Sequence, residues 1–424
     1  TIKAVAERLN VARISQQLGL APGELEGDLS GTIDLTIGST SHGSVELAVK
    51  DGAYKGLINS TIALSSRVEG DHITAKGLAT VPGLGKLTSQ LDWQVQGSLL
   101  NVPQLKAGRG SIKSEIKDLD LKTLSLLTGL NKKASTSGSA HIKFDLVRTS
   151  NKSPDFALSL STVGLSASIP SEQGPALSLD GVDINCVAKA SLDNSRLETA
   201  LHLKSRDGPL VSISGSQNVP LRSWWNQPPS QRDLIATLLE APVDLVVLVP
   251  ERKISRFPFT DQLPLRSGSF AARVAVTGSL AEPSLGVLIE GRDLLTTAGS
   301  PTVSLARAIS TRISGRYSAE TGSFVANATL EDDERPLGSL TAELNLPWNH
   351  VFHPTDPAVP LWTGRAQLQL EDFPLEIMES AATRGVRGDA AGTISVQRTG
   401  IVPDLDAELS LRRVSAGGYH IGDA

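Results

Sequence analysis

The sequence predicts an all-β protein: an elongated, curled antiparallel repeat sheet, a β-groove or taco, with a few short helices. Three observations lead there. Apolar and polar residues alternate with period two along most of the chain; Gly, Asp, Asn and Ser clusters cut that alternation into strand-length runs; and one strand–turn–strand unit recurs four times.

The runs come in order. Thr32–Ile37 places Ile33, Leu35 and Ile37 on one face, and Val45, Leu47 and Val49 repeat the pattern. Leu87, Leu91, Trp93 and Val95 follow, then Ala140, Ile142, Phe144 and Leu146, then Phe156, Leu158 and Leu160. Later runs are Val243–Val249 with Leu245, Phe270 to Val276 with Val274, Leu340 to Leu346 with Leu344, and Leu405 to Leu411 with Leu409. Side chains two apart share a face of a strand, so one face of each strand is aliphatic and the other is wet. The turn clusters KDGAY, VEGDH, LDNSR, SRDG and AETGS give hairpins, and hence an antiparallel meander.

Helical signals are sparse. Ile2 to Leu20 is the longest, with Val5, Leu9, Ile14 and Leu18 near helical spacing. Leu119–Leu130, Ser230–Leu239 and Pro374–Ala382 read as short helices, with Ser230 as an N-cap and Pro374 as a first-turn proline.

The recurring unit starts at a small-residue glycine, runs into an alternating strand, turns, and returns. Its anchors are Gly31, Gly138, Gly268 and Gly392, and in three units a proline (Pro154, Pro283, Pro403) opens the second strand, where a missing N–H is tolerated. The anchors lie more than a hundred residues apart, too far for small solenoid modules. The chain therefore reads as one continuous repeat sheet over residues 1–424, with approximate units 1–118, 119–229, 230–372 and 373–424. About 25 strands at roughly 4.8 Å each would extend on the order of 120 Å and would curl. The chain opens without Met and stops inside a strand-like pattern, so it reads as part of a longer protein with any anchor outside it.

Composition narrows the function. Apolar residues make up 40% but aromatics only 4%, with one Met, so the apolar surface is nearly all Leu, Ile, Val and Ala. Enzyme pockets and protein–protein hot spots draw on aromatics; a long uniform aliphatic surface does not. Net charge is −5 with both signs dispersed, which argues against a nucleic-acid surface. The single Cys186 excludes an intrachain disulfide and a Cys-based zinc site, and reads as a small buried residue. No run approaches the roughly 18 apolar residues of a membrane helix.

No nucleophile elbow, HExxH, phosphate-binding loop or dinucleotide fingerprint is present, so the chain reads as a non-enzyme without cofactor or metal. His350, His353 and Asp356 lie in a Pro-rich connection, and Glu331–Glu334 reads as an acidic hairpin tip. Trp224, Trp225, Trp348 and Trp362 beside Pro-rich connections read as seals at trough ends or loops. Asn59, Asn151 and Asn327 match the glycosylation triplet, which matters only in a eukaryotic secretory setting.

The phrases VAVTGSLAEPSLGVLIEGRDL, ISVQRTGIVPDLDAELSLRRVSAGG and IKDLDLKTLSLLTGL with SGSAHIKFDL carry a resemblance. Their cadence, an apolar strand, a Gly-Ser or Gly-Thr pair, a proline and a second apolar strand, resembles the TamB family of AsmA-like bacterial envelope proteins. The resemblance implies a periplasmic β-groove of a Gram-negative bacterium, anchored in the inner membrane by a segment not in this chain. It implies conduction of phospholipid between the inner and outer membranes, and support of outer-membrane biogenesis or protein secretion with an outer-membrane β-barrel partner. On that reading phospholipid acyl chains lie on Ile33, Leu35, Ile37, Val45, Leu47, Val49, Leu91, Val95, Ile142, Phe144, Leu146, Leu158, Leu160, Leu245, Val274, Val276, Leu344, Leu346, Leu409 and Leu411. The alternative is a structural or scaffold protein of closed β-sandwiches, whose dry cores the same alternation would line. An outer-membrane barrel is disfavoured by the scarcity of girdle aromatics.

Overall fold

A computed structural model describes the chain except residues 12–24, 39–40, 55–56, 96, 98–101, 129–134, 150–152, 170–176, 228–229, 258–264, 297–304, 334, 349–361, 399–401 and 424. The protein is all-β. Among the described residues, 22 strands belong to one antiparallel sheet that is not closed, and the few helices are short. No helix among the described residues is long and apolar enough to cross a membrane.

The chain forms two compact units. The first comprises Thr1–Arg206 and Pro220–Pro228, and the second Asp207–Val219 and Pro229–Ala424. In the first unit the strands are β1 (Ile2–Asn10), β2 (Leu25–Thr36), β3 (His42–Tyr54), β4 (Leu57–Glu69), β5 (His72–Val81) and β6 (Gly85–Gln94), then β7 (Arg109–Asp120), β8 (Ser135–Arg148), β9 (Asp155–Ile169), β10 (Leu177–Ser191) and β11 (Arg196–Ser205). Helix α1 (Val102–Ala107) links β6 to β7, α2 (Leu121–Thr128) links β7 to β8, and α3 (Leu221–Asn226) also packs in this unit. The second unit holds β12 (Gly208–Asn218), α4 (Gln231–Glu240), β13 (Pro242–Lys253), β14 (Leu265–Ser279), β15 (Pro283–Thr296), β16 (Ile309–Ser318) and β17 (Ser323–Asp332). It continues with β18 (Arg335–Asn345), β19 (Thr363–Pro374), α5 (Glu379–Thr383), β20 (Val386–Arg398), β21 (Asp404–Ala416) and β22 (Tyr419–Gly422). Within each unit strands pair with their sequence neighbours, as a meander requires.

The repeat has a period of six strands. The register slips by one residue at Gly27 in β2, Gly138 in β8, Gly268 in β14 and Gly388 in β20, each at positive φ between 115° and 138°. The preceding strands β1, β7, β13 and β19 each bulge near their C-terminal ends, between Ala6 and Leu9, Ile116 and Leu119, Val249 and Arg252, and Leu370 and Phe373. Helical connections recur in step: α1 and α2 flank β7, α3, α4 and the 3₁₀ turn Ile254–Arg256 flank β13, and the 3₁₀ turn Leu375–Ile377 with α5 follows β19. Two of the four expected anchors move. The equivalents of Gly138 and Gly268 are Gly27 and Gly388, each four residues before Gly31 and Gly392. The expected prolines hold their place: Pro283 opens β15, and Pro154 and Pro403 immediately precede β9 and β21.

The expected helix from Ile2 is a strand as far as Asn10; residues 12–20 of that stretch lie outside the described residues. The apparent Val5–Leu9 period joins residues on opposite faces of β1. Ala6 pairs with Gly31 and Leu9 with Leu29, so the inward positions are spaced by three there, while Val5 points to solvent. Of the other expected helices, Leu119–Leu130 and Ser230–Leu239 form as α2 and α4, whereas Pro374–Ala382 divides: Pro374 is the last residue of β19 rather than a first-turn proline, Leu375–Ile377 is a 3₁₀ turn, and only α5 is α-helical. Ser230 caps α4, its hydroxyl accepting from the Asp233 N–H at 3.2 Å.

Candidate functional site

Directly opposed residues of an antiparallel pair share a face, so the register assembles the aliphatic positions into rows across the strands. In the first unit one row runs Ile33, Val45, Ser66, Ala75, Leu91, Ile112, Leu146, Phe156, Ala190 and Leu197. The next runs Gly31, Leu47, Leu64, Gly77, Ser89, Ser114, Phe144, Leu158 and Ala188, and a third Leu29, Val49, Ile62, Ala79, Leu87, Ile116, Ile142, Leu160 and Cys186. The second unit repeats the arrangement. Leu245, Val276, Leu285, Tyr317, Phe324 and Leu344 form one row, and Val247, Val274, Val287, Gly315, Ala326, Ala342, Ala366, Val396 and Leu405 another.

The expected lining residues Ile33, Leu35, Val45, Leu47, Val49, Leu91, Ile142, Phe144, Leu146, Leu158 and Leu160 therefore share one face of the first unit. Leu245, Val274, Val276, Leu344, Leu409 and Leu411 lie on the corresponding face of the second. Ile37, Val95 and Leu346 sit just past the ends of β2, β6 and β18. Val95 is fully buried there rather than presented on the face. The face also includes Ile62, Leu64, Ile112 and Ile116, which fall in runs where a serine, Ser66 or Ser114, breaks the apolar alternation. Ser114 is hydrogen-bonded to Ser89 across the strands at 2.9 Å.

This face is open in the first unit. Ile62 is 48% exposed, Leu64 40%, Leu87 39% and Leu158 46%, whereas a second sheet packed on them would leave such side chains buried. Cys186 on the same face is half-buried, not buried as expected.

Burial concentrates instead at the strand ends. Trp93, Val95 and Leu146 form a buried cluster with Leu105 of α1 and Trp225 of α3 packed against it, and the Trp93 indole donates to the Leu105 carbonyl at 2.8 Å. In the second unit Tyr317 packs on Trp348 with ring centres 5.6 Å apart and donates to the Leu346 carbonyl at 2.8 Å; burial pushes its hydroxyl pKa up. At the opposite strand ends Ile254 and Phe257 are buried, with Phe257 against Phe270 at 6.1 Å. The Arg252 guanidinium, also buried, donates to the carbonyls of Gly208 at 3.1 Å and Pro209 at 3.0 Å. Arg398 lies over the Trp362 ring at 5.2 Å.

The other face is polar. Thr32, Glu46, Ser65, Lys76, Gln90, Lys113 and Asp145 stand in register across seven strands. A shallow concavity of about 860 Å³ opens on this side between β3 and β7 and is lined by residues including Glu46, Arg67, Lys76, Asp92 and Lys113. Its lining carries charges of both signs, so it offers little apolar surface to a hydrocarbon. Beside it Glu115 accepts from His141 at 2.8 Å, Lys117 at 3.2 Å and Lys143 at 3.3 Å. Partial desolvation pulls its carboxyl pKa upward, but these three donors outweigh that and hold it below the ordinary value.

Glu331, Asp332 and Asp333 form the tip of the β17–β18 hairpin, where Asp332 pairs with Arg335. Glu334, the last residue of the expected acidic tip, lies outside the described residues, as do His350, His353, Asp356 and Asn151. Among the described residues no three His, Cys, Asp or Glu side chains gather in a metal-binding group. Compared with known protein families, characterised proteins and solved structures, the chain matches none.

Proposed function

We propose that the aliphatic face carries the acyl chains of phospholipids, and that the chain is a non-enzymatic segment of a periplasmic lipid-conducting β-groove. The observation that carries this reading is the half-exposure of Ile62, Leu64, Leu87 and Leu158 within predominantly apolar cross-strand rows, interrupted in the row of Leu64 and Leu158 by Gly77, Ser89 and Ser114. Exposed aliphatic surface of this kind is unfavourable in water, and burying an acyl chain recovers about 0.8 kcal/mol per CH₂. A lining of Leu, Ile, Val and Ala presents neighbouring positions of similar affinity, so cargo slides rather than being trapped. The resemblance to TamB-like proteins supplies the membranes: inner-membrane anchorage through another segment, an outer-membrane barrel partner, and a role in outer-membrane biogenesis or protein secretion.

The test is native mass spectrometry of the purified chain. Phospholipid should co-purify with the wild type and be lost from Leu158→Asp and Ile142→Asp, with the circular dichroism and thermal midpoint of Leu158→Asp unchanged. A lipid-free wild type, or full lipid occupancy in both variants, overturns the reading.

A further inference from the structure

The aliphatic face carries charge at one place in each unit. Toward the strand ends one row runs Ile73, Trp93, Gly110 and Arg148 across β5 to β8, and another runs Phe324, Leu344, Gly364 and Arg398 across β17 to β20. Among the described residues, Arg148 and Arg398 are the two charged side chains in the rows of this face between the bulges and these strand ends. Their positions are equivalent. Each is the last residue of its strand, β8 or β20, two six-strand repeats apart, and β14 between them has Gly278 at the matching place. Each also stands opposite a glycine of positive φ, Gly110 at 146° and Gly364 at 132°. A Cβ on either glycine would collide with the carbonyl of Asp92 or Glu343, so no side chain fills the floor beside either arginine.

An arginine on an apolar surface lays its methylene stem along that surface and carries its guanidinium to the rim. Both side chains are half-buried, and the Arg398 guanidinium lies over the Trp362 ring, which holds it at the strand end. At Arg148 the strand end borders a hollow of about 510 Å³ that His72, Asp92, Gln94 and Arg109 also line. Two guanidiniums face one carboxylate in that lining, and His72 engages the carboxylate at 2.9 Å. The balance favours an anion. Apolar rows begin directly behind each arginine: Leu146 and Phe144 stand two and four residues back along β8, and Val396 and Ile394 likewise along β20. Those steps correspond to about 7 and 13 Å.

We propose that Arg148 and Arg398 are headgroup sites, each guanidinium holding the phosphate of a phospholipid whose acyl chains lie on the rows behind it. A guanidinium engages two phosphate oxygens at once through parallel N–H donors, which a point charge does not. The sites rest on the lipid-carrying reading above and add a direction to it. Cargo lies with its phosphate at the ends of β8 and β20 and its acyl chains running along the strands toward the bulges. They also make the chain prefer lipid that bears a phosphate over lipid with the same chains and none.

The probes are phosphatidylglycerol and the diacylglycerol with identical acyl chains, offered together in detergent micelles and counted by native mass spectrometry. The wild type should favour phosphatidylglycerol. Arg148→Gln combined with Arg398→Gln should cut that preference roughly tenfold, the effect of losing a charge-assisted hydrogen bond, with diacylglycerol occupancy unchanged. Arg148→Lys with Arg398→Lys should recover part of it. A glutamine variant that keeps the wild-type preference, or that loses both lipids together, overturns the headgroup sites alone. So does a wild type that holds the two lipids alike. Inorganic phosphate without lipid is the arm for a free anion: adducts that need both arginines, in a protein whose lipid preference ignores them, assign the sites to free phosphate and overturn their lipid role. A wild type that binds neither lipid overturns the lipid-carrying reading and the headgroup sites together.

Discussion

Asp120, the last residue of β7, shows how one side chain ends a strand and starts a helix. Its carboxylate accepts from the backbone N–H of Thr123 at 3.1 Å and of Lys122 at 3.3 Å and from the Thr123 hydroxyl, which caps α2. The hydroxyl bond, opposed by partial desolvation and helped by the two N–H bonds, holds its carboxyl pKa below the usual Asp value. A depressed folded-state pKa gives stability that is present above the unfolded value near ~3.9 and disappears as pH falls through the folded value. Asp120→Ala should cost about 1 kcal/mol at pH 7 in urea unfolding, and the gap to the wild type should narrow as pH drops below about 4. A gap that stays constant down to pH 2 would remove the carboxylate from the cap.

At the scale of elements, the bulge glycines set where each repeat begins. Gly388 has φ +138°, and a Cβ there would stand 2.9 Å from the Arg412 carbonyl oxygen. Gly388→Val should therefore destabilise by about 1–3 kcal/mol, whereas Gly77→Ala, whose Cβ would make ordinary contact with the Ser89 Cβ at 3.6 Å and the Leu64 Cδ1 at 4.0 Å, should change stability by less than about 1 kcal/mol. Equal thermal shifts for the two would contradict the assignment. The sequence displayed the strands and their faces because period two survives in every long run. It hid what the bulges changed. In β1 the bulge turns Leu9 onto the apolar face while Val5, four residues earlier, stays on the polar one, so the pair only resembles a helical repeat, and the conspicuous glycines of LSGTI and AAGTI stand four residues from the ones that bend the chain. Helices α1 and α3 escaped notice because six residues of NVPQLKAG or LRSWWN are too short to show a helical period. Ile62, Leu64, Ile112 and Ile116 were readable in principle, since a serine interrupts their alternation without shifting it.

Across the whole molecule, the most deeply buried side chains and the exposed aliphatic residues of the face are different sets, although Leu146, Tyr317, Ala326 and Ala342 of the rows are buried. The most deeply buried side chains, Val95, Val182, Val219, Ile254, Pro283, Leu337 and Ile377, stand at or near strand ends or, for Val182 and Leu337, at register shifts. Ile254→Ala and Ile377→Ala should each cost about 2–5 kcal/mol, while Leu64→Ala and Leu158→Ala should cost less than about 1, as read by chemical denaturation. Comparable losses at both kinds of site would mean that the face is core. A face that is not needed to hold the fold is free to meet a ligand, and its placement is the central claim. The most direct measurement is site-specific photo-crosslinking, with benzoylphenylalanine at Leu64 or Leu158 on the aliphatic face and at Lys76 or Glu198 on the polar face, against phosphatidylethanolamine and phosphatidylglycerol vesicles. The account predicts lipid adducts at Leu64 and Leu158 and none at Lys76 and Glu198; adducts at all four positions alike, or at none, would contradict it.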